Sequence, residues 1–92
     1  MTEENTVYVG QKNVMSYVLA VVTQFNNGAS EVNLKARGKV ISRAADVTQI
    51  VKNRFMPSMQ IKDVRVSTEE LQNEEGTMSR VTCMHFILTR GA

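Results

Sequence analysis

Glu31-Val32-Asn33-Leu34-Lys35-Ala36-Arg37-Gly38-Lys39-Val40-Ile41-Ser42-Arg43-Ala44-Ala45-Asp46 is the stretch that decides the fold. Up to Arg37, polar and apolar residues alternate. Val32, Leu34 and Ala36 point one way, and Glu31, Asn33, Lys35 and Arg37 point the other. A period of two is a strand with one wet face. Gly38 breaks it, and the period then changes. Val40, Ala44, Val47 and Val51 share one helical face, flanked by Ile41, Thr48 and Phe55. The helix is predicted from Lys39 to about Met56, because the residue before Pro57 is pushed out of the helical region.

Moving toward the N-terminus, Val7-Tyr8-Val9 is a short β-rich run stopped by Gly10 and reads as a strand. Val14, Val18, Val21 and Phe25 recur at helical spacing, with Met15, Leu19 and Val22 beside them. A helix is expected from about 13 to 26. Asn13 can cap it, since its side-chain oxygen accepts from an unpaired first-turn N–H. Asn26-Asn27-Gly28 ends it, because both residue types tolerate the left-handed conformation of a helix stop.

Moving toward the C-terminus, Ile61 to Thr68 is a strand whose parity changes between Ile61 and Val64, so a bulge or a late start is expected. Glu69 to Ser79 has no apolar periodicity and contains Asn73 and Gly76, which predicts a long hairpin loop. From Arg80 to Arg90, Val81, Cys83, His85 and Ile87 alternate with Thr82, Met84, Phe86 and Leu88. Apolar groups on both faces suit a central strand, or one that also meets a partner subunit. The order is β-α-β-α-β-β, an α+β two-layer sandwich. With right-handed crossovers, both helices lie on one face of a four-stranded mixed sheet. One domain covers 1–92, with 1–5 as a flexible N-terminus and 69–79 as a hairpin arm.

The chain has 92 residues, 42% of them hydrophobic and 22% charged, as in ordinary soluble domains. A chain of this size buries roughly 60–65% of its unfolded surface. Its core is therefore small, and a homodimer is expected. The longest apolar run, Tyr17 to Val22, is far short of the ~20 residues of a membrane span. Met1-Thr2-Glu3-Glu4-Asn5-Thr6 has no secretory character, so the expected location is the cytoplasm. The single cysteine, Cys83, excludes an internal disulfide and a multi-cysteine zinc site.

No nucleophile stands beside a base. His85 lies in an apolar strand and reads as structural, and Cys83 reads as a small buried hydrophobe. Gly10 and Gly38 match neither standard glycine-rich phosphate loop. Met56, Met59, Met78 and Met84 read as core or interface. No enzyme, cofactor, metal site or small-molecule substrate is implied.

The charge distribution is more informative than the net charge of +2. Lys35, Arg37, Lys39, Arg43, Lys52, Arg54, Lys62 and Arg65 face only Asp46 and Asp63 over the same span, and then Glu69, Glu70, Glu74 and Glu75 form an acidic cluster. Such a basic middle suits either a phosphate-binding footprint or a solvated face. Consecutive β-α units place both strand-to-helix junctions at one end of the sheet. That gathers Lys12, Lys35, Arg37, Lys39 and Arg43 on one side, beside the N–H groups of a helix start. Lys39 and Arg43, four residues apart, share a helix face. No aromatic is expected in this cluster, so the chemistry points to phosphate-backbone contact with little sequence readout.

The quoted stretch resembles the Alba family of archaeal chromatin proteins. So do Tyr8-Val9-Gly10-Gln11-Lys12-Asn13-Val14-Met15-Ser16-Tyr17-Val18, Ile50-Val51-Lys52-Asn53-Arg54-Phe55-Met56-Pro57 and Ser79-Arg80-Val81. The resemblance runs from about Thr6 to Arg90. It implies a chromosome-associated homodimer with an Alba-like β-α-β-α-β-β fold. It also implies binding and condensation of double-stranded DNA, with RNA as a further partner. The implied nucleic-acid contacts are Gln11, Lys12, Lys35, Arg37, Lys39, Arg43 and Arg80, with the last hairpin as an arm along the minor groove. Arg54 and Phe55 stand where dimers of the family meet side by side. The family commonly has two lysines after the first strand, one of them acetylated. Here Gln11 occupies the first position, which leaves Lys12 for the modification. The acidic residues of the arm are a second departure, since they repel DNA. Two other readings stay open: an RNA-binding protein, as in the ribonuclease P subunits of the wider superfamily, and a protein–protein module with an acidic loop.

Overall fold

The computed structural model describes residues 2–3 and 5–91. Along the chain come β1 (Thr2–Glu3), β2 (Thr6–Tyr8), α1 (Val14–Asn26) and β3 (Glu31–Arg37). A 3-10 turn at Gly38–Val40 leads into α2 (Ile41–Ile50), which ends in a π-helical turn at Val51–Phe55. Strands β4 (Gln60–Gln72) and β5 (Met78–Thr89) close the fold as a long hairpin. The sheet order is β1-β2-β3-β5-β4. Among the described residues, β2 and β3 run parallel and the other neighbouring pairs are antiparallel.

The expected four-stranded mixed sheet and two helices are present, with the two-residue β1 added at the edge. The 1–5 segment is thus not wholly irregular: Thr2 and Glu3 pair with Val7 and Thr6. Met1 and Glu4, also assigned to that flexible segment, lie outside the described residues.

The core is the one the periodicities predict. Val18, Val21 and Phe25 of α1 and Ala44 and Val47 of α2, continued by Val51, meet Val32 and Leu34 of β3 and Phe86 and Leu88 of β5. All are buried. Asn13 Oδ1 accepts from Ser16 N at 3.2 Å, so the α1 cap stands as read. Gly38 has φ +63, a backbone conformation that L side chains rarely adopt, and this left-handed residue turns the chain from β3 toward α2. Strand β5 is central, between β3 and β4. The β4 bulge falls between Ile61 and Asp63, where the parity changes.

Two readings are corrected. The second helix is not uniform α from Lys39 to Met56. Met56 sits before Pro57 with φ −138 and ψ 80, outside the helical region. Its N–H reaches back five residues to Val51 O at 2.7 Å, which widens the last turn. The second correction concerns 69–79, which is mostly strand rather than loop. Strands β4 and β5 stay in register out to Gln72↔Met78. Asn73 Oδ1 accepts from Glu75 N at 3.0 Å and Thr77 N at 2.9 Å, and Gly76 takes φ +83, so five residues close the turn. The outer hairpin shows no apolar period because both of its faces are exposed.

Candidate nucleic-acid interface

Side chains pointing away from the core follow from the strand register. The junctions β2–α1 and β3–α2 do lie at one end of the sheet. Arg43, half-buried on α2, donates from Nη1 to Gly10 O at 3.0 Å and to Lys12 O at 2.9 Å. The Lys12 N–H donates to Tyr17 Oη at 2.9 Å. Three hydrogen bonds therefore hold the loop after β2, and Gln11, Lys12 and Lys39 project from it and beside it, exposed. Arg43 binds its own chain here.

Lys35 and Arg37 stand elsewhere. They occupy the sheet face opposite the helices, as the alternation of β3 requires. Arg37 Nη1 pairs with Glu69 Oε1 at 2.8 Å. Lys35 Nζ lies 6.0 Å from the centre of the Tyr8 ring. The expectation of no aromatic in the basic cluster is corrected: Tyr8 is 41% exposed and borders both the junction loop and this open face. Arg80 lies on the exposed arm, in register with Glu70. Glu69 and Glu70 sit on β4, while Glu74 and Glu75 sit at the turn. Arg54 and Phe55 are exposed on the π-helical turn, Phe55 by 41%.

A shallow depression of about 700 Å³ occupies the open face, with Tyr8, Lys35, Arg37, Arg65, Cys83 and His85 in its lining. His85 Nε2 and Asn33 Oδ1 are 2.7 Å apart. Partial burial, then the charges of Lys35 and Arg65, hold the His85 pKa below its ordinary value. Cys83 Sγ donates to Glu69 Oε2 at 3.3 Å. Desolvation, then the Glu69 hydrogen bond, push the thiol pKa up, so Cys83 stays protonated. Sequence spacing does not mark Arg65 and His85 as neighbours of the basic cluster. Tyr8 had a signal in its outward position between Val7 and Val9.

Strand β4 carries a further exposed surface on its helix side. Ile61, Val64 and Val66 extend past the two helices, with Val66 62% exposed. Among the described residues, no three His, Cys, Asp or Glu side chains gather as metal ligands do, and no helix is long and apolar enough to cross a membrane.

The Alba family model matches residues 5–68. "DNA/RNA-binding protein Alba 1" of Archaeoglobus fulgidus is 54% identical over 87 residues, covering 95% of this chain and 97% of that protein. "DNA/RNA-binding protein Alba" of Methanocella arvoryzae is 49% identical over 90 residues, covering 98% and 94%. The solved structure of Alba from Thermoplasma volcanium superposes with a TM-score of 0.86 at 46% identity, over 91% of this chain and 98% of that one. Trypanosoma brucei ALBA1, at 22% identity and a TM-score of 0.78, over 99% and 73% of the two chains, shares the fold.

Proposed function

Because the chain belongs to the Alba family, we propose that it is a dimeric archaeal nucleoid protein that binds double-stranded DNA through the phosphate backbone. The observation that carries this reading is the junction loop pinned by Arg43, with Gln11, Lys12 and Lys39 projecting from one end of the sheet. A held loop presents its cations without a large ordering cost on binding. Phosphate contacts position the protein and carry no sequence information directly. Arg37 and the arm residue Arg80 extend the footprint. Arg43 acts chiefly as a positioning residue. Lys12 is the candidate for acetylation, which would remove one phosphate contact.

Homodimerisation is supported by the apolar strip Ile61, Val64 and Val66, whose side chains stay 40%, 43% and 62% exposed. The exposed Phe55 and Arg54 suit contacts between neighbouring dimers on DNA. The protein works on the chromosome, within the cytoplasm. RNA is a second ligand, favoured by Gln11 and the acidic arm, which weaken a purely electrostatic grip on duplex DNA.

The test is the salt dependence of binding to unrelated duplexes. Each phosphate bound by a cation contributes about 0.9 to the slope of log affinity against log salt. Lys12→Ala and Lys39→Ala should each weaken binding on every duplex and lower the slope by roughly one for each phosphate let go. Unchanged slopes would remove these residues from the interface.

A further inference from the structure

The open face of the sheet carries a row of groups that starts beside the junction loop and runs across all four main strands. The strand register aligns Tyr8 with Lys35, Lys35 with His85, and His85 with Arg65. At ~4.8 Å per strand, this row spans about 14 Å. It starts with an exposed phenol ring and ends with a guanidinium, and an ammonium and an imidazole lie between. Arg65 commits its Nε to Asp63 Oδ2 at 3.2 Å and leaves both terminal nitrogens open. Lys35 faces the Tyr8 ring and is paired with no carboxylate among the described residues. The His85 imidazole is held in place by Asn33. The surrounding depression, about 700 Å³, falls in the roughly 300–1,000 Å³ range of ligand pockets.

We propose that this open face is a second nucleic-acid surface, and that it takes an unpaired stretch of single-stranded RNA, one base on Tyr8 and the phosphates on Lys35 and Arg65. The inference rests on the nucleic-acid-binding reading above but uses the open face of the sheet, which meets the DNA footprint only at Arg37. Duplexes hide their base faces inside the stack, so an exposed ring offers them little. An unpaired base stacks readily on tyrosine or histidine. The charge pattern separates RNA from DNA. Asp63 and Glu69 flank the cations, and their carboxylates repel phosphate. They can also accept a hydrogen bond from a ribose 2′-hydroxyl, which DNA lacks. The apolar strip of β4 lies on the other side of the sheet, so a dimer formed through it leaves the row open.

The experiment measures fluorescence anisotropy with labelled oligo(rU), oligo(dU) of equal length, and duplex DNA. Tyr8→Ala should weaken oligo(rU) binding about tenfold, the loss of one stacked base, and Tyr8→Phe should restore it. Lys35→Gln and Arg65→Gln should each lower the oligo(rU) salt slope by about 0.7. Duplex affinity should not respond to Tyr8→Ala. Circular dichroism melts of each variant establish that the fold is kept. Unchanged oligo(rU) affinity in a folded Tyr8→Ala overturns the proposal. So does an equal loss on duplex DNA, or equal wild-type affinity for oligo(dU) and oligo(rU). Wild-type protein that binds duplex but no oligo(rU) overturns this inference alone, whereas protein that binds no probe overturns the nucleic-acid reading as well.

Discussion

Replacing Arg43 tests whether this cation grips nucleic acid or holds the loop that does. Its Nη1 donates to two backbone carbonyls, Gly10 O and Lys12 O. Hydrogen bonds from a charged donor contribute roughly 1.5–3 kcal/mol each. One of these two is exposed, and water can replace it. Arg43→Ala should therefore cost about 2 kcal/mol, or roughly 8–16 °C in Tm for a domain this size. DNA affinity should fall as well, because Lys12 loses its fixed position. A second substitution isolates the coupling. If Arg43 works through Lys12, the affinity losses of Arg43→Ala and Lys12→Ala will not add, with an interaction energy in the range of about 0.5–3 kcal/mol. Arg43→Lys keeps the charge on a different head group, so it should recover little of the lost stability. Thermal melts and salt titrations on one duplex supply every number. Intact Tm, additive losses and a salt slope lowered by one would refute this reasoning and make Arg43 a direct phosphate ligand.

Changing Glu74 and Glu75 to glutamine should tighten duplex binding at low salt if the arm approaches DNA. The gain should shrink once screening reaches about 8 Å, near physiological salt, and equal affinities at low salt would place the arm away from the duplex. Phe55→Ala should leave Tm near the wild-type value, since the ring is 41% exposed, and should abolish cooperative loading on long DNA; a collapse in Tm would return Phe55 to the core. Val66→Glu should yield a folded monomer in sedimentation, and an unaltered dimer would move the interface off β4. His85 has a folded pKa below the 6.5 of free imidazole, so the unfolded chain protonates first as pH falls. Its contribution is full above that value and is lost as pH drops through the folded pKa. His85→Gln should flatten this part of the Tm–pH curve, and an unaltered curve would count against it.

Legibility in the sequence followed burial. Strand β3 and helix α2 could be read residue by residue because each has one face in the core, and Val32, Leu34, Ala44 and Val47 mark it. The outer hairpin could not, because Glu69 to Gln72 meet no second layer and no period survives. The π-helical turn was hidden for another reason. Pro57 announces a helix stop, but nothing nearby says that the last turn widens first. At the site, the alternation of β3 was enough to put Lys35 and Arg37 on the wet face. It could not reveal that His85 and Arg65 stand in the same row, since that depends on pairings 50 and 20 residues away in sequence. Arg43 likewise reads as one more cation until the fold brings Gly10 and Lys12 beneath it.

The reach of the β4–β5 hairpin also sets a gradient of local stability along the molecule. Near the body, Phe86 and Leu88 anchor the hairpin in the core. Beyond Thr68 and Thr82, cross-strand hydrogen bonds hold it almost alone, and the residues are nearly all exposed. Local opening is easiest where buried apolar contacts are fewest. Amide exchange should accelerate stepwise from Phe86 toward Ser79, so the tip opens and recloses many times for each global unfolding. A nucleic acid lying along the arm would suppress those openings, and part of its binding free energy would go into ordering the tip. Affinity can then be tuned by tip residues that never touch the ligand, through the stiffness of the hairpin.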